Sequence, residues 1–380
     1  MSDPPRYDLF AACAPGFESV TAAELRSLGI ANPRPTPGGV TFRGFLTHVY
    51  KINLWSRTAE RILLRLGEFR AITFKELHQK ARRLEWENFL PPGCRVSIRA
   101  TCRKSRLIHS GAVAERIARA IADRLGQPPT LVLADEENHS AQLPLVVVRL
   151  ADDACTISLD TSGALLHFRG YRQATAKAPL RETLAASMLL ASGWQPDQPL
   201  IDPFCGAGTL PIEAALIARQ IAPGRPRRFA FMDWPQLDQA AWDELIAQAD
   251  NAVLPTAPSS IRGSDRDAGA IEASRSNAER AGVQDDVVFE RRAVSAIEPI
   301  GRGSIVTNPP YGHRVSGGDD LRNLYAQFGK VLRAKCPGWH VAMLTGSAQL
   351  ESHIGLKFGE AIRINNGGIL ARFVQTDVPA

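Results

Sequence analysis

Alternating apolar and polar positions predict a strand over Tyr7–Cys13, and three-to-four-residue spacing predicts a helix from Glu18 to Leu28 that stops before Gly29. "GGVTFRG" reads as another short strand, so the chain opens as a small α+β unit. In "ITFKELHQKARRLEWENFLPPG", Phe74, Leu77, Ala81 and Leu84 recur at helical intervals, Thr73 and Glu76 have capping-box spacing, and Pro91-Pro92 is expected to stop the helix. "CRVSIRATCRKS" alternates like a strand whose outward positions include Arg95, Arg99 and Arg103. "SGAVAERIARAIADRLG" then gives a second helix, with Ser110 as candidate cap, Val113, Ile117, Ile121 and Leu125 on one face, and Gly126 as its stop.

From residue 160 the pattern changes to strands alternating with helices, which points to a parallel sheet. "QPLIDPFCGAGTLPIEAALIAR" reads as an apolar strand, a glycine turn, and a helix with Thr209 as candidate cap and Pro211 in its first turn. "SSIRGSDRD", "DVVFERRA", "GSIVTNPP" and "HVAMLTGS" are four further strand candidates, and "IRINNGGILARFVQ" closes as a hairpin turning at Asn366-Gly367. A stretch rich in Pro and Arg from about 220 to 260 interrupts this rhythm and is read as an insertion.

Apolar residues at 44% and charged residues at 22% are ordinary globular proportions. No run reaches the length of a membrane span and "MSDPPRYDLF" lacks a signal-peptide pattern, so a cytoplasmic location is expected. The six cysteines form no C-x-x-C pair and the histidines no ligand spacing, so free thiols and no metal site are expected. The net charge of +6 is unevenly spread: residues 43–106 hold 15 Lys or Arg against 5 Glu and no Asp, whereas residues 161–380 hold 23 against 22. A basic unit joined to a nearly neutral one suggests a polyanion-holding module, against the alternative of a merely solvated basic surface.

The chemistry concentrates at predicted strand ends. In "DPFCGAGT", Asp202 ends a strand while Gly206 and Gly208 let the backbone approach a ligand. The stretch lacks the Gly-Lys-Ser/Thr of a phosphate loop, and Pro211 occupies the third glycine position of a dinucleotide fingerprint. An acid before the glycine turn suits an amino-acid ammonium, and a second acid at the next strand end, Asp265 in "GSDRD", suits a ribose diol; S-adenosylmethionine has both groups. Singly, each acid is better explained as a turn residue capping the next helix. Together with "NPPY" at a third strand end, they fit one crevice at the carboxyl edge of a parallel sheet.

"NPPYG" by itself is turn punctuation, and this chain has Pro-Pro elsewhere. At such an edge it gains a chemical reading. The exocyclic amine of a base is a poor nucleophile because its lone pair is delocalised, and two acceptors that take its N–H groups aim that pair at an incoming methyl. The Asn308 side-chain oxygen and the Pro309 carbonyl are such acceptors, Pro309 and Pro310 stiffen the loop, and Tyr311 offers a face for a flipped-out base.

Two resemblances follow. Residues from about Leu63 to Leu150, most tellingly "CRKSRLIHSGAVAERI", resemble the THUMP domain, an RNA-binding module, which implies a ferredoxin-like domain before it and recognition of RNA shape. Residues 160–380 resemble a Rossmann-like class I S-adenosylmethionine-dependent methyltransferase, for which the resemblance implies a mostly parallel seven-stranded sheet. With "LLHFRGYR", "KAPLRETLAA", "DPFCGAGTLPIEAA" and "NPPYG", the whole chain resembles THUMP-containing guanine-N2 RNA methyltransferases of the bacterial 23S ribosomal RNA type. The resemblance implies an α/β chain with a ferredoxin-like domain over 1–60, a THUMP domain over 61–155 and the methyltransferase over 160–380. It places Pro179 and Leu180 beside the cofactor, Asp202, Phe204, Cys205, Gly206 and Gly208 around its methionine part, and Asp265 with Arg266 at the ribose and adenine. It also gives Asn308 a cofactor contact, Asn308–Tyr311 the target amine, and Arg95, Arg99, Arg103, Lys104 and Arg106 the RNA.

Two departures stand out. Ala293 occupies the usual adenine-reading acid position in "FERRAVSA", and Arg266 replaces an apolar residue after Asp265, which leaves adenine to backbone groups or Ser295. His313 and Arg314 read equally as phosphate contacts or a solvated loop. The leading expectation is guanine-N2 methylation of structured RNA, favouring 23S ribosomal RNA over tRNA. Adenine-N6 or glutamine methylation is disfavoured by the basic N-terminal unit, and a non-catalytic RNA-binding assembly factor is the rival from another class.

Overall fold

A computed structural model describes residues 5–132, 143–173, 180–311, 318–366 and 369–380. The N-terminal part contains β1 (Tyr7–Cys13), α1 (Glu18–Ser27), β2 (Arg34–Thr36), β3 (Gly39–Gly44), α2 (Leu46–Trp55), β4 (Ala59–Arg70), α3 (Phe74–Ala81), β5 (Arg95–Arg103), α4 (Ser110–Leu125), β6 (Thr130–Leu131), β7 (Leu145–Ala151) and β8 (Ala154–Asp160). They form one eight-stranded sheet in the order β2-β3-β1-β4-β8-β7-β5-β6. The twelve-residue β4 is the seam: it pairs antiparallel with β1 through Leu64↔Leu9 and with β8 through Leu64↔Leu159. The expected ferredoxin-like and THUMP units thus share a sheet across the 60/61 position.

Alternation along these strands separates two faces. Leu9, Ala11, Ile62, Leu64, Val146, Val148 and Ile157 turn inward and form one core with Leu25 of α1, Ile52 of α2, Leu77 of α3 and Ile117 of α4. The opposite face carries the outward positions Asp8, Arg43, Arg65 and Arg99.

Some local expectations change. α3 ends at Ala81, ten residues before Pro91, because the fully buried Trp86 donates its indole N–H to the Ala81 carbonyl at 2.8 Å and turns the chain. Thr73 caps α3 by accepting from Glu76 N, but the Glu76 carboxylate reaches back to Ile72 N, one residue before the reciprocal position. Ser110 and Thr209 are first helical residues; His109 and Gly208 are the N-caps, and neither makes a side-chain capping bond.

The second part contains α5 (Glu182–Ala191), β9 (Leu200–Asp202), α6 (Thr209–Ala218), α7 (Gln239–Asn251), β10 (Ile261–Asp265), α8 (Ala268–Ala281), β11 (Val287–Arg291), β12 (Ser304–Thr307), α9 (Gly318–Lys335), β13 (His340–Thr345), α10 (Ala348–Ile354), β14 (Ile362–Asn366) and β15 (Ile369–Asp377). Its seven-stranded sheet runs β11-β10-β9-β12-β13-β15-β14, with β9 to β13 parallel and β14–β15 an antiparallel hairpin. The four expected strands after the insertion are β10 to β13, and the hairpin's Gly367 lies outside the described residues. Strand order reverses between β9 and β12, and a ligand crevice opens at the carboxyl ends of such strands.

The 220–260 stretch supplies α7 and a bolt between the two parts. Phe231 stacks on Tyr50 with centroids 4.8 Å apart, and Trp234 meets Phe89 edge-on at 4.8 Å. Phe229, Phe231, Trp234 and Trp242 are buried in the N-terminal core, where aromatics bury the most area per residue. A second joint lies behind α6. Buried Arg57 donates to the Leu216 and Ile221 carbonyls at the helix end, and burial lowers its pKa to about 10. Glu213, on the same helix, accepts from Tyr171 Oη at 3.0 Å and faces the Arg169 guanidinium at 3.7 Å.

Candidate active site

Three strand ends carry the site. β9 delivers Asp202, β10 delivers Asp265, and β12 delivers Asn308 one residue past Thr307. Asp202 is fully buried, and its Oδ1 accepts the Thr307 hydroxyl at 2.6 Å and the Phe204 N–H at 3.1 Å. Burial pushes its carboxyl up to about 7 and neighbouring Asp265 adds to the rise, against the stabilising hydrogen bonds from Thr307 and Phe204. Thr307 therefore ties the β9 and β12 strand ends together.

The glycine loop is held from three sides. Gly206 N–H donates to Asp265 Oδ2 at 3.1 Å, Cys205 N–H donates to the Ser264 carbonyl, and Asn277 Nδ2 of α8 donates to the Ala207 carbonyl at 2.9 Å. The two glycines do different work. Gly206, at φ +52°, has only open space where a Cβ would point, so its backbone is accessible to a ligand. Gly208, at φ +85°, would place a Cβ 2.8 Å from Ser274 Cβ and 2.9 Å from the Phe289 ring, so its missing side chain lets α6 close onto α8 and β11. Burial raises the Cys205 thiol well above its ordinary value, leaving it an apolar filler. Asp265 also accepts from Asp267 N, and it is Asp267 that caps α8.

At the third strand end, Asn308 Oδ1 is buried and has no hydrogen-bond partner among the described residues. An orphaned buried acceptor costs about 1–3 kcal/mol, and a donor brought by a ligand removes that cost. Pro310 presents its carbonyl to the buried Tyr325 hydroxyl of α9 at 3.4 Å. Tyr311 rests on Gly346 after β13, where a Cβ would come 3.1 Å from its Cβ and Cδ2. Phe204 meets Phe328 of α9 edge-on at 5.3 Å, so one helix braces both the glycine loop and the Pro-Pro loop.

The structure thus brings Asp202, Phe204, Cys205, Gly206, Gly208, Asp265 and Asn308–Tyr311 to one edge of the sheet. Leu180 is buried in the core beneath, its carbonyl accepting from Arg172. Arg266 is exposed, and so are Ala293 and Ser295 beside β11. Pro179, Gly312, His313 and Arg314 lie outside the described residues. Arg95, Arg99 and Arg103 occupy every fourth position on β5 and so share one face, while Lys104 and Arg106 are exposed in the loop that follows. Sequence reasoning missed Thr307, Asn277, Tyr325 and Gly346, whose roles arise from contacts between distant segments. Only the buried, apolar setting of β12 hinted at Thr307.

The residues fit an amino-acid ammonium and a ribose diol: Asp202 is a carboxyl held ready at the β9 end, Asp265 stands beside it, and Gly206 leaves its backbone open. No cluster of metal-ligating residues occurs among the described residues, and no described helix is long and apolar enough to cross a membrane.

Three regions match known protein families: residues 8–63 the "RlmL ferredoxin-like domain", residues 71–160 the "THUMP domain", and residues 169–373 the "RMKL-like, methyltransferase domain". The chain is 38% identical over 387 residues to "Ribosomal RNA large subunit methyltransferase K/L" of Syntrophotalea carbinolica, covering 97% of this chain and 53% of that protein. It is 34% identical to "Putative RNA methyltransferase slr0064" of Synechocystis, covering 95% and 94%. It superposes with TM-score 0.88, 32% identity and 99% coverage of both chains on SMU.472, a putative methyltransferase solved in complex with SAH. The chain spans about half the length of the K/L relatives it matches.

Proposed function

The chain belongs to the RMKL-like methyltransferase family, and from that premise we propose that it transfers the methyl group of S-adenosylmethionine to the N2 amine of a guanine in structured RNA, with 23S ribosomal RNA as substrate. The observation that carries the reading is the orphaned Asn308 oxygen, one residue beyond the Thr307–Asp202 bond, which sets an amine acceptor beside the acid suited to the cofactor's ammonium. The names of the K/L relatives favour a large-subunit ribosomal RNA, and the THUMP match favours RNA over DNA or protein. The reaction of a ribosomal RNA enzyme belongs in the cytoplasm.

Asp202 and Asp265 would hold the ammonium and ribose ends, with the backbone of Gly206 alongside. When bound, S-adenosylmethionine supplies an electrophilic sulfonium methyl. Asn308 Oδ1 and the Pro309 carbonyl accept the two amine hydrogens and turn the nitrogen lone pair toward that methyl. The loop is held beforehand: two prolines restrict it and the Tyr325 hydroxyl donates to the Pro310 carbonyl, so little ordering is left for the transition state. Tyr311, seated on Gly346, would stack on the flipped base. No strong base is required, because the amine loses its proton only after the carbon–nitrogen bond forms, when it is acidic enough for water to take.

The test is methyl transfer from labelled S-adenosylmethionine to purified 23S RNA and tRNA by the full chain. Transfer to 23S RNA, and N2-methylguanosine by nucleoside mass spectrometry, is expected; labelling of tRNA alone would reassign the substrate. Asn308→Ala is expected to lower turnover by about 10²–10³-fold while leaving SAH and RNA binding nearly unchanged, and undiminished turnover would remove the amide from the mechanism.

A further inference from the structure

We propose that the open face of the N-terminal sheet carries a second phosphate-gripping track, centred on Arg34 and Arg43 of the ferredoxin-like unit and Arg65 of the shared strand β4, for the sugar–phosphate backbone of structured RNA; this rests on the RNA reading above. The shared sheet is the first argument. Register places Arg43, Asp8, Arg65, Ser158, Val147 and Arg99 side by side across six strands. Five strand spacings make that row about 24 Å long. Arginines from the ferredoxin-like unit and from the THUMP unit therefore lie on one surface, although β4 joins segments that the sequence presents as separate modules.

The second argument is a groove. A concavity of about 660 Å³ crosses β2, β3, β1 and β4, with Arg6, Arg34, Arg43 and Arg65 set against Asp8 and Glu68, a surplus of two positive charges. The Arg43–Asp8 pair, at 3.2 Å, has both side chains about two-thirds exposed, so it contributes little to folding and yields readily to a stronger anion. The Arg65 guanidinium lies 5.3 Å from the Phe10 ring centroid and that of Arg6 lies 5.1 Å from Phe45, contacts that orient the flat forks. Guanidinium forks in fixed orientation match phosphate oxygens two at a time. None of these arginines lies in a charge run: they are spaced 9 and 22 residues apart on β2, β3 and β4, and only pairing assembles them.

The experiment measures binding of an RNA duplex of about 16 bp to the full chain across a salt series. Arg34→Gln/Arg43→Gln, two exposed positions, is expected to weaken affinity about 10-fold or more near 100 mM salt and to reduce the slope of log K against log salt by about 2. Arg43→Gln/Arg65→Gln should do the same, and unchanged SAH affinity certifies that each variant is folded. If the wild type shows no salt-dependent binding, the RNA reading falls and the track with it. If the wild type binds and both variants match its slope and affinity, the track alone is refuted. Loss of polyglutamate binding with RNA binding unchanged would assign the groove to an acidic polypeptide and likewise overturn the proposal.

Discussion

Replacing Asp202 with Asn should make the protein more stable at alkaline pH while weakening the proposed grip on the cofactor's ammonium. Asn keeps an acceptor oxygen for the Thr307 hydroxyl and the Phe204 N–H, so the bonds that hold β9 to β12 survive. What disappears is the cost of burying a carboxylate. The carboxyl stands at about 7 against an ordinary 3.8, a rise of about 3 pH units, each worth 1.36 kcal/mol. The folded state therefore binds the proton more tightly than the unfolded state, and stability falls as pH rises through the window between those values. Below about pH 4 both states are protonated and Asp behaves like Asn. Above about pH 7 the full difference of about 4 kcal/mol is present. At about 2–4 °C per kcal/mol, this predicts a Tm for Asp202→Asn on the order of 10 °C above wild type at pH 8.5, shrinking toward zero at pH 4. Differential scanning fluorimetry across that range measures it, and the comparison with wild type cancels every other titrating group. A Tm difference that does not vary with pH, or a wild type that is the more stable at pH 8.5, would refute the argument.

If Asp202 holds the cofactor's ammonium as proposed, SAH should bind about ten-fold more tightly at pH 8, where the acid is ionised, than at pH 6 by calorimetry, with a flat profile in Asp202→Asn. Gly346→Ala brings a methyl 3.1 Å from Tyr311 and should lower turnover through a tilted ring while SAH affinity holds; unchanged turnover would remove the seat from the account. Phe231→Ala removes the partner stacked on Tyr50 and should cost about 3–5 kcal/mol, read as a lower denaturation midpoint and faster proteolysis between the two parts. A loss below about 1 kcal/mol would show that the bolt is dispensable.

Local pattern sufficed for the boundaries of β1, the switch to alternating strands and helices, and the addresses of Asp202, Asp265 and Asn308, because strand and helix periods and turn residues act within a few positions of one another. It misjudged α3, whose end is fixed by the Trp86 indole folding back on the Ala81 carbonyl, a bond that no periodicity records. Tertiary structure decided the rest. The sheet alone made β4 common to two modules and lined up arginines from separate strands. Folding alone brought the Thr307 hydroxyl to an acid 105 positions earlier, and turned the aromatic residues of the 220–260 insertion into the joint that fixes the N-terminal part to the methyltransferase. The division has one cause: residue types and spacings state which groups a strand end can offer, but the partner each group meets depends on which strands become neighbours, and that is settled by burial across the whole chain.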